Sequence, residues 1–453
     1  MASDILSIIL AAGQGTRMKS DKIKVLHKVG GKPMFQHVVD SVTDFSSNII
    51  IVVGHQGDLV RETFPDREGI KFVVQKEQLG TGHAVQQAEG YIREHRGTVL
   101  ILYGDTPLLK KETIKSLVSG HQEKKAACTV LTALMENPAG YGRIIRNSNE
   151  DIERIVEEKD AGIDEKAINE INSGVCCFES SFLLEALQNL DNNNAQGEYY
   201  LTDAISYLSN KGEKVIPFLI DDSREIIGIN DRINLAKAEK IIRVRINLKH
   251  MENGVTIIDP DQTYIDSEVE IGRDTIIYPF TYIEGKTRIG NNCTIYPHSR
   301  IVDAEIGDFA NIYDHSIIME SSLSDNTNIG PFAYIRPGCR VAPNAKIGDF
   351  VELKNAEIGK GTKVPHLSYV GDASIGEGTN IGAGTIFANY DGKEKHRSIV
   401  GDNVFIGSNT TIVSPVKIGN EGKTGAGSVV TKDISEGTTV VGVPARVFKK
   451  KEG

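Results

Sequence analysis

An α/β domain, a helical arm and a parallel β-helix, in that order, are what the sequence predicts. Three observations carry the prediction. Apolar runs alternate with helical patterns over residues 1–230, one unbroken helical pattern follows, and beyond it an aliphatic residue recurs at every sixth position. The expected divisions are 1–230, 231–252 and 253–453.

A chain of 453 residues is long enough for two or three domains with substantial cores. Its 51 basic against 61 acidic residues argue against a nucleic-acid or anionic membrane surface, while anionic small substrates need only local Arg and Lys clusters. The five cysteines, Cys128, Cys176, Cys177, Cys293 and Cys339, lack CxxC spacing. They are expected to be reduced thiols of a cytoplasmic protein rather than a disulfide frame or zinc site.

The first apolar run, "ILSIILAA", follows Asp4 without a basic segment and stops at Gly13, so a buried strand is expected and not a signal peptide. No later run approaches transmembrane length. "NIIIVVG" (48–54), "KFVVQ" (71–75), "TVLILYGD" (98–105) and "ACTVLTAL" (127–134) are rich in β-branched residues and read as strands. "MFQHVVDSVTDF" and "KETIKSLVSGHQEK" carry helical spacing between them. Apolar strands separated by helices imply a mostly parallel sheet covered on both faces.

"DRINLAKAEKIIRVRINLKHMENG" reads as a single helix, with Asp231 as N-cap and Gly254 as stop. After it Ile271, Ile277, Ile283, Ile289, Ile295 and Ile301 stand six residues apart. With occasional five-residue steps the beat runs on through Ile335, Leu353 and Val370 to Phe387. Ordinary half-buried strands repeat every second residue; a six-residue beat held this long is the signature of a β-helix, whose aliphatic residues stack inward. The beat breaks between Phe387 and Val400, where "ANYDGKEKHRS" makes a polar excursion. A loop thrown out of a regular prism is a place to seek function.

Ligands of an open parallel sheet sit beyond the carboxyl ends of its strands. The loop Ala11–Gly15 follows the first strand there, and "YGD" (103–105) follows "TVLIL". Glycines let backbone N–H groups approach phosphate, Arg17 and Lys24 add positive charge, and Asp105 suits Mg²⁺. Taken alone, "GQG" reads equally as a tight turn.

"LAAGQGTRM…KVL", "QLGTGHA", "YGD", "GYGR", "EEKDA", "EIN" and "GIN" resemble, in order, the sugar-1-phosphate nucleotidyltransferases. Joined to the hexapeptide half, nearly the whole chain resembles the bacterial bifunctional N-acetylglucosamine-1-phosphate uridyltransferases/glucosamine-1-phosphate N-acetyltransferases. The resemblance implies a Rossmann-like nucleotidyltransferase domain, a left-handed β-helix, and a cytoplasmic homotrimer. It places the uridine nucleotide on Leu10, Ala11, Ala12, Gly13, Lys24, Gln75, Gly80, Thr81, Tyr103 and Gly104. It gives the sugar to Gly142, Glu157 and Asn172, and Mg²⁺ to Asp105 and Asn230. Arg17, Lys24 and the metal are then the groups that stabilise charge as pyrophosphate leaves.

On the β-helix, Arg336, Lys354, His366, Tyr369, Asn380 and "NY" (389–390) recur at about one coil's spacing. A neutral imidazole suits removal of a proton from an amine attacking a thioester, and Glu352 is the expected carboxylate partner of His366. The resemblance makes His366 the acetyltransferase base. It assigns Arg336, Lys354, Tyr369 and Asn380 to the sugar phosphate, and Ala383, Asn389, Tyr390, Ser408 and Ala426 to acetyl-CoA. Relatives often carry an arginine directly before the C-terminal Val-Pro; here Gly442 stands in that place, leaving Arg446 or the Lys449–Lys451 cluster for the coenzyme's phosphate. Two rival readings remain at this level. One is a single-activity nucleotidyltransferase with a β-helix used for assembly, and the other is a non-catalytic nucleotide-sugar sensor.

Overall fold

The computed structural model describes residues 5–54, 56–64 and 68–449. The chain forms two compact units, Met1–Ile242 and Arg243–Gly453, with the division inside a long helix.

In the first unit, β1 (Ile5–Ala11) is buried along its whole length. It pairs in parallel with β2 (Asn48–Val53) on one side and β4 (Thr98–Tyr103) on the other, and β3 (Ile70–Val74) extends the edge beyond β2. The sheet is mostly parallel, as expected, with one strand running the other way. β6 (Glu170–Glu179) runs antiparallel between β4 and β5 (Cys128–Leu134), and β7 (Val215–Ile220) closes the far edge parallel to β5. The sheet order is thus β7-β5-β6-β4-β1-β2-β3. A short hairpin, Arg143–Arg146 against Ile152–Val156, joins β6 through Ile171 and Arg143.

The helices fall where the spacing places them. α1 (Met34–Val42) buries Met34, Phe35, Val38, Val39 and Val42, one continuous stripe at helical period. α2 (Lys111–Lys124) buries Ile114, Leu117, Val118 and His121 and ends at Lys125 in a left-handed turn. A helix over Ser180–Gln188 follows β6 directly, α3 (Leu201–Asn210) comes after the loop beyond it, and α4 spans Arg232–Glu252. Asp231 caps α4 by accepting the Asn234 N–H at 2.8 Å, and Gly254 stops it at φ +92°. No described helix is long and apolar enough to cross a membrane.

The second unit is a β-helix of three parallel sheets, to which each coil contributes one short strand per sheet. Ile277, Ile283, Ile289, Ile295 and Ile301 are buried, as are their successors through Ile418; Ile271, on an early coil, is only partly covered. Each such side chain contributes roughly 1.5–3 kcal/mol of burial. The beat hides a second inward column two residues earlier: Thr275, Thr281, Thr287, Cys293, Ser299 and Ala304 are all buried. Their small size fits the corners, and the hydroxyls satisfy carbonyls there, as Thr275 Oγ1 does with Gly290 O at 2.9 Å. Corner Asp and Asn side chains hold neighbouring coils together. Asp308 accepts the Asn291 N–H at 2.6 Å, and Asp325 accepts that of Asp308 at 2.9 Å.

Candidate active sites

The carboxyl ends of β1 and β4 open into a cleft of about 670 Å³, walled by the Ala11–Gly15 loop, Gln75, Gly80–Thr81, Tyr103 and Asp105. Gly15 has φ +64°, and a Cβ there would lie 2.6 Å from Lys24 Cβ. The bare backbone therefore lets the Lys24 stem pass beneath the loop. At the cleft floor Lys24 Nζ donates to Asp105 Oδ2 at 2.5 Å and to Asn230 Oδ1 at 3.0 Å. Asp105 stands just past β4 and Asn230 just before α4. A bond from the Ile229 N–H to Asp105 O, 2.9 Å, fastens the two segments together.

This donor set fits a magnesium ion. Two hard oxygens, Asp105 Oδ2 and Asn230 Oδ1, converge on one ammonium. Mg²⁺ takes one or two protein oxygens and keeps its water. Lys24 would have to swing away, which its flexible stem allows.

Of the other residues expected here, Leu10, Ala11, Ala12, Gly13, Arg17, Lys24, Gln75, Gly80, Thr81, Tyr103, Asp105 and Asn230 all line the cleft. Gln75 is buried and donates to Gly80 O at 3.1 Å, and Thr81 Oγ1 accepts the Leu201 N–H at 3.0 Å. Burial pushes the Tyr103 phenol well above its ordinary value. Gly104 lies behind, its N–H bonded to Leu10 O at 2.9 Å. Gly142, Glu157 and Asn172 form a cluster of their own beside Tyr141 and Ser173, which do line the cleft. The Asn172 N–H donates to Gly142 O at 2.8 Å, and burial raises the Glu157 carboxyl above its usual range. Sequence reasoning missed Gln78 and Tyr141. Gln78 Nε2 donates to Ala12 O at 2.6 Å and braces the loop, and Tyr141 lies inside the quoted "GYGR".

The β-helix site follows from register. The strand Lys346–Asp349 pairs with Lys363–His366, so Asp349 stands opposite His366 one coil away. His366 Nδ1 lies 2.5 Å from Asp349 Oδ1, and this bond holds the Asp349 carboxyl below its usual range. The expected partner, Glu352, is corrected by the same register. It lies opposite Tyr369 and accepts from Arg336 Nη1 at 2.9 Å. Proximity in sequence suggested Glu352, but a 17-residue coil selects Asp349.

Two columns of backbone bonds organise the rest. Gly384 N donates to His366 O at 3.4 Å, Asn409 N to Ala383 O at 2.7 Å, and Gly427 N to Ser408 O at 2.8 Å. Ala383, Ser408 and Ala426 therefore climb one corner that begins at His366. In the second column Arg336 N bonds Leu353 O and Asp372 N bonds Lys354 O, both at 2.9 Å. Asn389 Nδ2 donates to Asp372 Oδ2 at 2.5 Å and lies 3.5 Å from Tyr369 OH. Asn380 sits opposite Lys363 and Phe405 on the His366 sheet, and Tyr390 is exposed in the excursion.

Residues 7–196 match the family described as MobA-like NTP transferase domain, and residues 268–302 and 397–432 match the bacterial transferase hexapeptide family. A protein of Acetivibrio thermocellus named bifunctional protein GlmU is 48% identical over 447 residues, covering 98% of this chain and 96% of its own length. Proteins of the same name from Clostridium beijerinckii (51% over 436 residues, 96% and 95%) and Caldanaerobacter subterraneus (52% over 439 residues, 97% and 95%) match as fully. The chain belongs to the GlmU family. Membership supports a bifunctional enzyme over a nucleotidyltransferase that keeps its β-helix for assembly alone.

Two features of this GlmU-family chain lie outside the expected pattern. Gly442 has φ +97°, a conformation in which an arginine is strained, so the glycine is a backbone requirement here. Arg446 pairs with Val441 next to it, at the end of the coil above Gly425. Lys449 is exposed on the same strand, and Lys450 and Lys451 lie outside the described residues. The other feature is Lys395, which sequence reasoning did not single out. The Lys354 ammonium beside it pushes the Lys395 ammonium below its ordinary value. The available signal was its place in the one loop that breaks the beat.

Proposed function

We propose that residues 253–453 transfer an acetyl group from acetyl-CoA to glucosamine 1-phosphate. Residues 1–230, joined to them by the arm 231–252, then transfer uridylyl from UTP to N-acetylglucosamine 1-phosphate, giving UDP-N-acetylglucosamine and pyrophosphate. The observation that carries the acetyl half is the His366–Asp349 pair at the foot of the Ala383–Ser408–Ala426 corner. With Nδ1–H donated to Asp349, the neutral imidazole presents Nε2 as its basic atom. Arg336 and Lys354, with Lys395, take the sugar phosphate, while Tyr369 and Asn380 meet the sugar. The amine attacks the thioester carbonyl, a C–N bond forms and the C–S bond breaks. His366 takes the amine proton and can return it to the departing thiolate. Asn389, Tyr390, Ser408 and Arg446 hold the coenzyme, and polar groups near Ser408 stabilise the oxyanion.

In the cleft, the Leu10–Gly13 loop and Gly80–Thr81 hold the nucleotide and Gln75 meets the base. Gly142, Glu157 and Asn172 hold the sugar. Its phosphate oxygen attacks the α-phosphorus, and the bond to the β-phosphate breaks. Lys24 and Arg17 offset the charge gathered on pyrophosphate. Bound at Asp105 and Asn230, Mg²⁺ supplies charge neutralisation for the phosphates. UTP and acetyl-CoA as substrates, with five free buried cysteines, support a cytoplasmic enzyme.

A homotrimer is part of the reading. It is supported by an exposed corner ladder in which Phe280, His298, His315, Phe332 and Phe350 stack at 4.7–5.2 Å between ring centroids. Sedimentation at micromolar concentration checks it: a trimer is expected and a monomer contradicts it. The activity is tested by supplying acetyl-CoA and glucosamine 1-phosphate, then UTP and Mg²⁺. Thiol release followed by pyrophosphate release is expected, and pyrophosphate without thiol would restore the assembly-only reading.

A further inference from the structure

The buried carboxamide of Gln75 lines the cleft, and both bonds of its side chain run through nitrogen. Nε2 donates to Gly80 O at 3.1 Å and lies 3.1 Å from His83 Nδ1. Gly80 O can only accept, and it also takes the Ala84 N–H at 3.1 Å. The nitrogen of the amide therefore belongs at this end, and its second hydrogen goes to His83. That makes His83 Nδ1 an acceptor and puts the ring proton on Nε2. Both amide hydrogens of Gln75 are then spent inside the protein. Its Oε1 makes no bond among the described residues and is not sealed from solvent. An acceptor, and only an acceptor, is left for the cleft.

His83 sits half-buried in the short helix Thr81–Gln86, with the Gln87 amide on the other side of its ring. Gln87 Nε2 lies 3.1 Å from His83 Nε2 and donates to His83 O at 3.0 Å. A neutral imidazole accepts at one nitrogen only, so two amides compete for one lone pair. Gln75 is 4% exposed and fixed at Gly80 O, whereas Gln87 is half-buried and free to turn its oxygen to the ring. The contest goes to Gln75. Uracil presents N3–H, a donor, where cytosine presents a lone pair. An acceptor facing that atom favours the first base and repels the second.

We propose that His83 is a positioning residue for base choice: it takes the second amide hydrogen of Gln75, leaves Oε1 alone to face the N3 position of the base, and so favours uracil over cytosine. The proposal rests on the reading that Gln75 meets the base of the nucleotide. His83 does not line the cleft, so its effect runs through Gln75. Without it, a freed N–H of Gln75 can turn toward the lone pair of cytosine, and discrimination weakens from both sides.

The test compares kcat/KM for UTP and for CTP, read as pyrophosphate release with N-acetylglucosamine 1-phosphate and Mg²⁺. His83→Leu should lower the UTP value about tenfold, the scale of one hydrogen bond, without lowering the CTP value. The UTP:CTP ratio then falls by about tenfold or more. The loss should lie in KM, and kcat at saturating UTP should change less than about threefold, which certifies the fold of the first unit. His83→Asn, whose Oδ1 can accept in place of Nδ1, should restore most of the ratio. Gln75→Leu should lower the ratio at least as much, and adding His83→Leu to it should add little, because residues acting through one group are not additive. An unchanged ratio in His83→Leu, a loss shared equally by the two nucleotides, or a full second factor in the double variant overturns the role of His83. Gln75→Leu separates the two levels. If it leaves the ratio unchanged, the base reading fails and takes His83 with it. If it lowers the ratio while His83→Leu does not, the role of His83 alone fails.

Discussion

The two units build their sites by opposite rules. In the α/β unit, Lys24, Asp105 and Asn230 meet across sequence separations of 81 and 206 residues, at loops that the sheet order happens to gather. On the β-helix, partners are one coil apart: His366 with Asp349 at 17 residues, Arg336 with Glu352 at 16, Asn389 with Asp372 at 17. The environments differ as well. Burial raises the carboxyls near the cleft, Glu157 and Asp203, whereas on the prism surface Asp349 and Asp391 are lowered by imidazole hydrogen bonds. Burial beside the cleft acts on its carboxyls by desolvation; an exposed prism face has to build its electrostatics from explicit pairs.

The first way to break this comparison carries the largest effect. Asp105→Ala removes half of the protein donor set at the cleft floor, and we expect pyrophosphate release to fall by about 10³-fold, a loss of several kcal/mol in transition-state stabilisation. Thiol release from acetyl-CoA should not change. Unaltered Mg²⁺-dependent pyrophosphate release would remove Asp105 from the site.

A sharper test asks whether coil arithmetic assigns roles. Asp349→Asn should lower kcat for acetyl transfer by about 10–10² with KM for the sugar phosphate nearly kept, because it disturbs the tautomer and orientation of His366. Glu352→Gln should do the reverse, raising KM through Arg336 and sparing kcat. Identical profiles for the two variants would mean that register does not divide their work.

The smallest effect concerns the enclosed side. Burial raises the Asp203 carboxyl from 3.8 to about 6. A carboxyl whose folded value lies above its unfolded one binds its proton more tightly when folded, so its ionisation weakens the fold as pH rises through that window. Asp203→Asn should therefore raise the thermal midpoint of the first unit by about 2 °C at pH 8 and hardly at all at pH 4. A difference that is the same at both pH values would contradict the burial account.

How much of this was legible in the sequence follows from the same contrast. The aliphatic ladder was readable nearly residue by residue because one inward direction repeats with the coil; Ile271, on an early coil, is the partly covered exception. The second inward column escaped notice because Thr, Cys, Ser and Ala share no hydropathy signal, only small volume. The strands β2, β4 and β5 and the helices α1 and α2 were readable from period, but the antiparallel β6 was not, since burial looks alike in either direction. At the cleft, resemblance brought together residues that no spacing could connect. On the prism the spacing itself carries the partner: one coil back from His366 stands Asp349, whereas Glu352, nearer in sequence to Lys354, stands one coil back from Tyr369.

Thiol release by His366→Ala, measured beside pyrophosphate release on the same preparation, tests the two-site account most directly. The substitution touches a half-exposed corner side chain and leaves the buried ladder intact, so the protein should remain folded. We predict that acetyl transfer falls by ~10²–10⁴ while uridylyl transfer keeps its rate. Thiol release at the unmutated rate would contradict the account.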